Sequence, residues 1–284
     1  MIRRPAGPDA FHLITQHDHA LLAGELARRF GATGFAPPLP LAETVTGVSL
    51  HDAGWRLHDD DPTLNPAGLP LHVFEVPVPI AVRVWSASVD QAIAAGDYPG
   101  LLVSLHVLNL SALLMSHAFV FKPGDRAQSP ALSRPDQFEM NKFQHRQVEI
   151  QEALRDRLGF ANDAPRQLGL APAGTSPLDD QLRSNFRILT LMDRLSLSLC
   201  CGKNLFPTID DVPPAPGQPP RPLTLSMPDD RTLTIAPWPF ADPEIRLPIR
   251  AKRLPATPYA DVDQLRAAYR AAPEETIELV TRAE

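Results

Sequence analysis

Cysteine is scarce in this 284-residue chain: there are two, Cys200 and Cys201, and they are neighbours. Adjacent cysteines rarely form a structural bridge, so a disulfide-stapled secreted scaffold is excluded and a reduced, cytoplasmic protein is expected. The pair reads as core packing at a helix end. No apolar run reaches the roughly 18–20 residues that span a bilayer, so no membrane partner is expected. Met1-Ile2-Arg3-Arg4-Pro5 is a basic start with no apolar core behind it, which argues against a secretory signal. Basic charge is not in excess either. The net charge of −6 argues against nonspecific nucleic-acid binding as the main role. No internal repeat is found. What is present is a 44% hydrophobic chain, long enough to bury a sizeable core as one large domain or a domain with an appendage.

Helical periodicity dominates the first two thirds. After an irregular or extended lead-in over 1–14, Thr15 can cap a helix reaching about Phe30, with His19, Leu22, Leu26 and Phe30 on one face. A second helix carries Leu41, Val45 and Val48, and Asp52 and Trp55 continue its stripe beside His51. On a helix two adjacent residues diverge by about 100°, so His51 and Asp52 can share an ion only near a groove between helices. Residues 59–80 read as a long ordered loop whose run Asp59-Asp60-Asp61 is a solvated acidic turn. A helix is expected over 81–95 and another over about 101–120, with Leu102, His106, Leu110, Leu113 and His117 on its stripe. His106 and His117 would lie ~16 Å apart along a straight axis, too far to bind one ion, and His106 is the favoured ligand. Residues 121–140 read as a surface excursion, and 138–158 as an amphipathic helix with Lys142, His145 and Arg146 on its polar face. A long helix over 177–201 has the stripe Leu182, Phe186, Leu189, Asp193, Leu197, Cys200. Asp193 thus falls on a core position, where an isolated carboxylate is prohibitively costly without a partner.

The proline-rich stretch 205–222 then reads as a stiff linker or strap. Beyond it the period drops to two. Leu223, Leu225 and Met227 alternate, Pro228-Asp229-Asp230 suits a hairpin turn, and Ile245, Leu247 and Ile249 alternate with polar residues. A short helix over about 261–272 and a last strand over about 276–281 complete the reading.

His19, His51, Asp52, His106 and Asp193 are therefore polar residues on apolar faces, able to offer N and O ligands to a first-row divalent metal. The order His…His-Asp…Asp, carried by His19 in His-Ala-Leu-Leu-Ala, by Leu-His51-Asp52 and by Asp193 in Leu-Met-Asp-Arg-Leu, resembles the HD-domain superfamily of metal-dependent phosphohydrolases. The fuller pattern, with Trp55 and Leu-Leu-Val-Ser-Leu-His106, looks like an uncharacterised bacterial HD-like family. The resemblance covers about residues 12–201. It implies an all-α core with the metal site between helices. The expected fold is therefore a mainly α, HD-like helical bundle over 1–204, and the period-two residues beyond the linker 205–222 make a small C-terminal α+β extension over 223–284, whose apolar sheet face packs on the helical body. By the same resemblance His19, His51, Asp52 and Asp193 would hold a first metal. His106, with His117 as a further candidate, would serve a second metal bridged by Asp52. His51 and Asp52 would be catalytic, one or two ions of Mn, Fe, Ni or Zn would be the cofactor, and Trp55, Arg56, Lys142 and Arg146 are candidates for substrate contact. Arg194 is a further candidate for phosphate. The superfamily's lysine after His-Asp is missing here, where Gly54 and Trp55 stand. The expected activity is hydrolysis of a phosphorylated small molecule or nucleotide. The alternatives are an HD-type di-iron oxygenase or a non-catalytic metal- or ligand-binding protein, and homodimerisation is left open.

Overall fold

The computed structural model describes residues 1–32, 34–116, 132–161, 165–215 and 221–284. In chain order its elements are β1 (Ile2–Pro5), β2 (Ala10–Ile14), α1 (Gln16–Arg29), α2 (Leu41–Leu50), α3 (Arg56–Asp59), α4 (Val78–Ala95), α5 (Asp97–Met115), α6 (Arg134–Leu158), α7 (Pro177–Cys201), β3 (Thr208–Ile209), β4 (Leu223–Ser226), β5 (Thr232–Ala236), β6 (Glu244–Pro255), α8 (Val262–Ala271) and β7 (Glu274–Ala283).

All seven strands join one sheet in the order β1-β2-β6-β7-β5-β4-β3, antiparallel at every step except the parallel pair β5–β7. The 12-residue β6 is its spine, pairing with β7 along Glu244–Lys252 and with β2 along Lys252–Pro255. Period-two alternation places Ile245, Leu247, Ile249 and Ala251 of β6, with Ile277 and Leu279 of β7, on the face that meets the helices. On the opposite face Leu13 and Leu254 pack on Leu265 of α8. The expectation of a mainly α bundle is therefore corrected: among the described residues helix accounts for 50% and a curled mixed sheet for 19%. The lead-in over 1–14 is two strands, and the proline-rich stretch supplies the edge strand β3. Pro5 and Pro255 close the ends of strands rather than interrupting them.

In the helical layer α5 is wrapped by α2, α4, α6 and α7. It is apolar all round, which is the pattern of a helix buried on every side. Among the described residues it is the one helix that by length and composition could cross a bilayer. Here its apolar surface is spent on its neighbours instead. Helix α7 lies between this layer and the sheet, and Arg4 of β1 fastens its end. The buried Arg4 guanidinium donates to Leu199 O at 2.6 Å and pairs with Asp230 in the β4–β5 turn at 3.0 Å, satisfying carbonyls that a helix C-terminus leaves open.

The helix expected to carry Asp52 and Trp55 on its stripe, with His51 beside them, stops at Leu50. His51 is its cap, Asp52 leaves helical geometry at φ −119°, ψ 20°, and Ala53–Trp55 forms a single 3-10 turn. Gly54 makes this turn possible. Its N–H donates to Ser88 Oγ at 2.9 Å, and the turn lies flat on α4. A Cβ at Gly54 would press on Val84 O and Ser88 N and lie 2.8 Å from Ala87 C. These are backbone atoms that cannot rotate away. Gly54→Ala is therefore expected to lower unfolding stability by about 3 kcal/mol or more, measured by denaturant titration, and to displace the His51-Asp52 turn from α4.

Candidate metal centre

Four elements bring the inward polar residues together. Thr15 caps α1, accepting from Asp18 N at 2.9 Å, and sets His19 one turn inside the helix. The turn after α2 presents His51 and Asp52, α5 presents His106 and α7 presents Asp193. All five are buried, His19 and His51 completely and Asp193 to within 8%. The 100° divergence expected between His51 and Asp52 does not arise, because the backbone turns between them.

Asp193 is the hub. Its Oδ1 lies 3.1 Å from His19 Nε2 and 3.5 Å from His51 Nε2, and its Oδ2 lies 3.8 Å from His106 Nε2. Asp52 Oδ2 closes the ring at 3.8 Å from His19 Nε2 and 3.7 Å from His51 Nε2. Donors bound ~2.1 Å from one cation at tetrahedral or octahedral angles are themselves about 3.0–3.5 Å apart. The observed separations match that spacing with a small excess. His19, His51 and Asp193 meet the spacing most tightly, each offering one atom within 4.8 Å of the others. Asp193 reaches His51 through one oxygen and His106 through the other. No Asp52 oxygen lies within 4.0 Å of His106 among the described residues.

Hydrogen bonding fixes the ligand form of the central imidazole. His51 Nδ1 is 2.7 Å from Val48 O. A carbonyl only accepts, so Nδ1 carries the proton and Nε2 faces the cage as a lone pair in the neutral ring. That Nε2 is buried and has no hydrogen-bond partner among the described residues. Orphaned buried polar atoms are rare, and a cation would satisfy this one. Gln16 Nε2 donates to Asp52 Oδ2 at 3.2 Å, and Gln16 N–H donates to Asp59 Oδ2 at 2.6 Å. Asp59 is thus buried and anchors the start of α1, a correction to its reading as solvated. Nothing in the sequence around Asp59 separates it from Asp60 and Asp61.

Burial and close contact shift the titration of the cage residues. Burial pushes the Asp193 carboxyl up, but the His19 hydrogen bond and the His51 imidazole beside it outweigh this and hold it well below the carboxylate range. Burial would lower the His51 pKa, yet Asp52 and Asp193 beside it raise it to about 9. Burial also raises Asp52, against the pull of His51 and His19, and lowers His106 to about 3, leaving that ring neutral with its lone pair available.

Two cavities meet at the cage, sharing His106, Leu110, Asp193 and Leu197. One is an apolar chamber of about 140 Å³ containing Trp55 and Trp85. The other is a cleft of about 610 Å³ that includes Arg187, Arg194 and Phe206. Of the expected substrate residues only Trp55 is brought to the site. Arg56, Lys142 and Arg146 are exposed and line neither cavity, Arg146 instead facing Glu149 at 3.4 Å. Arg194 does reach the cleft, as its place beside Asp193 allowed, whereas Gln16 carried no sequence signal. His117 lies outside the described residues.

A divalent cation must displace the proton that the cage holds on His51. Binding of Mn²⁺ or Zn²⁺ at pH 7 is expected to release about one proton, with apparent affinity rising roughly tenfold per pH unit until it levels near pH 9. Titration calorimetry in buffers of different ionisation enthalpy measures both quantities, and Asp193→Ala is expected to abolish binding.

No curated protein and no solved structure matches the chain. Among family models the match is to a protein family of unknown function and not to any HD-domain family, which overturns the superfamily membership suggested by the His-Asp motifs. The match runs over residues 1–256 and so takes in both the strands β1 and β2 and the whole metal cage: the chain belongs to the family described as protein of unknown function (DUF3891).

Proposed function

We propose that this protein is a metal-dependent hydrolase of phosphorylated small molecules. The observation that carries the reading is the closed ring of His19, His51, Asp52 and Asp193 around an unpartnered imidazole nitrogen, at the junction of two cavities. These four residues would hold the cation, with His106 available on the second oxygen of Asp193. A divalent ion there supplies an activated water at neutral pH and positive charge for a developing phosphoryl anion. The protein supplies the rest. Gln16 holds the Asp52 carboxylate in place. Asp52 lines the chamber, where its carboxylate would accept a hydrogen bond from the attacking water. Arg194 lines the cleft and makes no ion pair among the described residues, so its guanidinium is available to an anion. The two free thiols, Cys200 buried and Cys201 half-buried, fit the reduced cytoplasm as the place of action.

The third imidazole, His106, favours a second reading in which a pair of redox-active ions performs an oxidation with dioxygen. Elemental analysis of protein purified without chelator or histidine tag, followed by assays for phosphate release and oxygen uptake, separates the two. The expected result is about one or two equivalents of metal, phosphate release from small monoesters, and loss of both in Asp193→Ala. Iron with substrate-dependent oxygen uptake and no phosphate release would establish the redox reading. Metal-loaded protein that turns over nothing in either assay would leave a binding protein.

A further inference from the structure

The two cavities differ in chemistry, and the difference narrows what the site can take. Beyond the cage the chamber is walled by Val76, Ala81, Trp85, Leu110 and Leu114, with Trp55 at its side. Its polar groups are gathered at the metal end, in Gln16, Asp52, His106 and Asp193. A nucleoside placed there would bury several sugar hydroxyls and base edges against walls whose one buried, unpaired donor among the described residues is the Trp55 indole N–H, at a cost of several kcal/mol. Its volume of about 140 Å³ is close to that of an engineered protein cavity of ~150 Å³ that stays dry and binds benzene. On the other side of the cage the cleft carries two arginines. Arg187 is already paired with Asp211 at 2.8 Å. Arg194 lies with its guanidinium 5.5 Å from the centre of the Phe206 ring, next in sequence to the hub carboxylate.

We propose that the site takes an amphiphilic monophosphate, its short alkyl or aryl group seated in the Trp55–Trp85 chamber and its phosphate held between the cage and Arg194. This deepens the hydrolase reading and rests on it for the reaction. A water oxygen bonds to phosphorus, the ester P–O bond breaks, and the released alkoxide takes a proton and leaves as the alcohol, with inorganic phosphate remaining on the Arg194 side. Both ends of such a ligand are specified by the structure: the apolar end by volume and wall chemistry, the anionic end by an unpaired arginine.

The test reads binding and does not depend on turnover. Non-hydrolysable alkylphosphonates from methyl to octyl are titrated into the full, metal-loaded chain by calorimetry, with Trp55 and Trp85 as an internal fluorescence signal. Affinity is expected to rise about fourfold per methylene, and to level off at about four to six carbons as a benzene-sized cavity fills. Ala81→Leu is expected to bring the levelling to a shorter chain, and Ala81→Phe to flatten the series. Metal content shows that both variants are folded. Arg194→Gln is expected to weaken every homologue by a common factor of about 10–100. A flat series in the wild type, or tighter binding of adenosine monophosphate than of butylphosphonate, overturns the proposal. A rising series without hydrolysis of butyl phosphate upholds the ligand class and overturns hydrolysis. Phosphate release from monoesters with a flat series does the reverse.

Discussion

Asp193 is a carboxylate in the middle of the long buried helix α7, and the molecule is arranged to keep it charged. In an apolar interior that charge is tolerable only if positive or hydrogen-bond-donating groups surround it. His19 and His51 lie against one of its oxygens, His19 within hydrogen-bond reach at 3.1 Å, and His106 lies 3.8 Å from the other. Each comes from a different part of the chain, so satisfying one side chain fixes the relative positions of α1, the turn after α2, α5 and α7. The same requirement makes the cage suited to a cation, because the groups that neutralise Asp193 are also metal ligands.

The second constraint is a close approach of backbones. His51 and Asp52 can face one point because α2 ends between them, and α2 ends there because Gly54 lets the following turn lie on α4 without a side chain between. Trp55, carried by that turn, then becomes a wall of the chamber. One small residue thereby sets the ligand geometry and the shape of the adjoining cavity together.

The cage was largely legible in the sequence, since a polar residue on an apolar stripe needs a partner wherever the stripe is buried, and His19, His106 and Asp193 each declared themselves by periodicity. Asp52 was found for a reason that the structure corrects, as the stripe it seemed to continue ends before it. The sheet was the larger omission. β1 and β2 are short and separated by Gly7 and Pro8, and β6, which joins their hairpin to the sheet through β2, lies near the other end of the chain, so the local pattern does little to announce them. Asp59 looked like its exposed neighbours because burial there comes from α1 and not from the local sequence. The family was misread for a related reason: a few histidines and aspartates in order describe a donor set, and different folds can present the same donors.

Helix α1 follows β2 after the single residue Thr15, and β2 is held by residues 252–255 of β6. During synthesis the helix that carries His19 therefore emerges long before the strand that fixes its origin. Until β6 is made, Leu13 and Ile14 have only the β1 strand beside them, and His19 has no settled position. Such long-range closure is slow and leaves apolar strand edges uncovered meanwhile. Assembly of the cage is thus a late event, coupled to completion of the chain rather than to formation of the helices that supply its ligands.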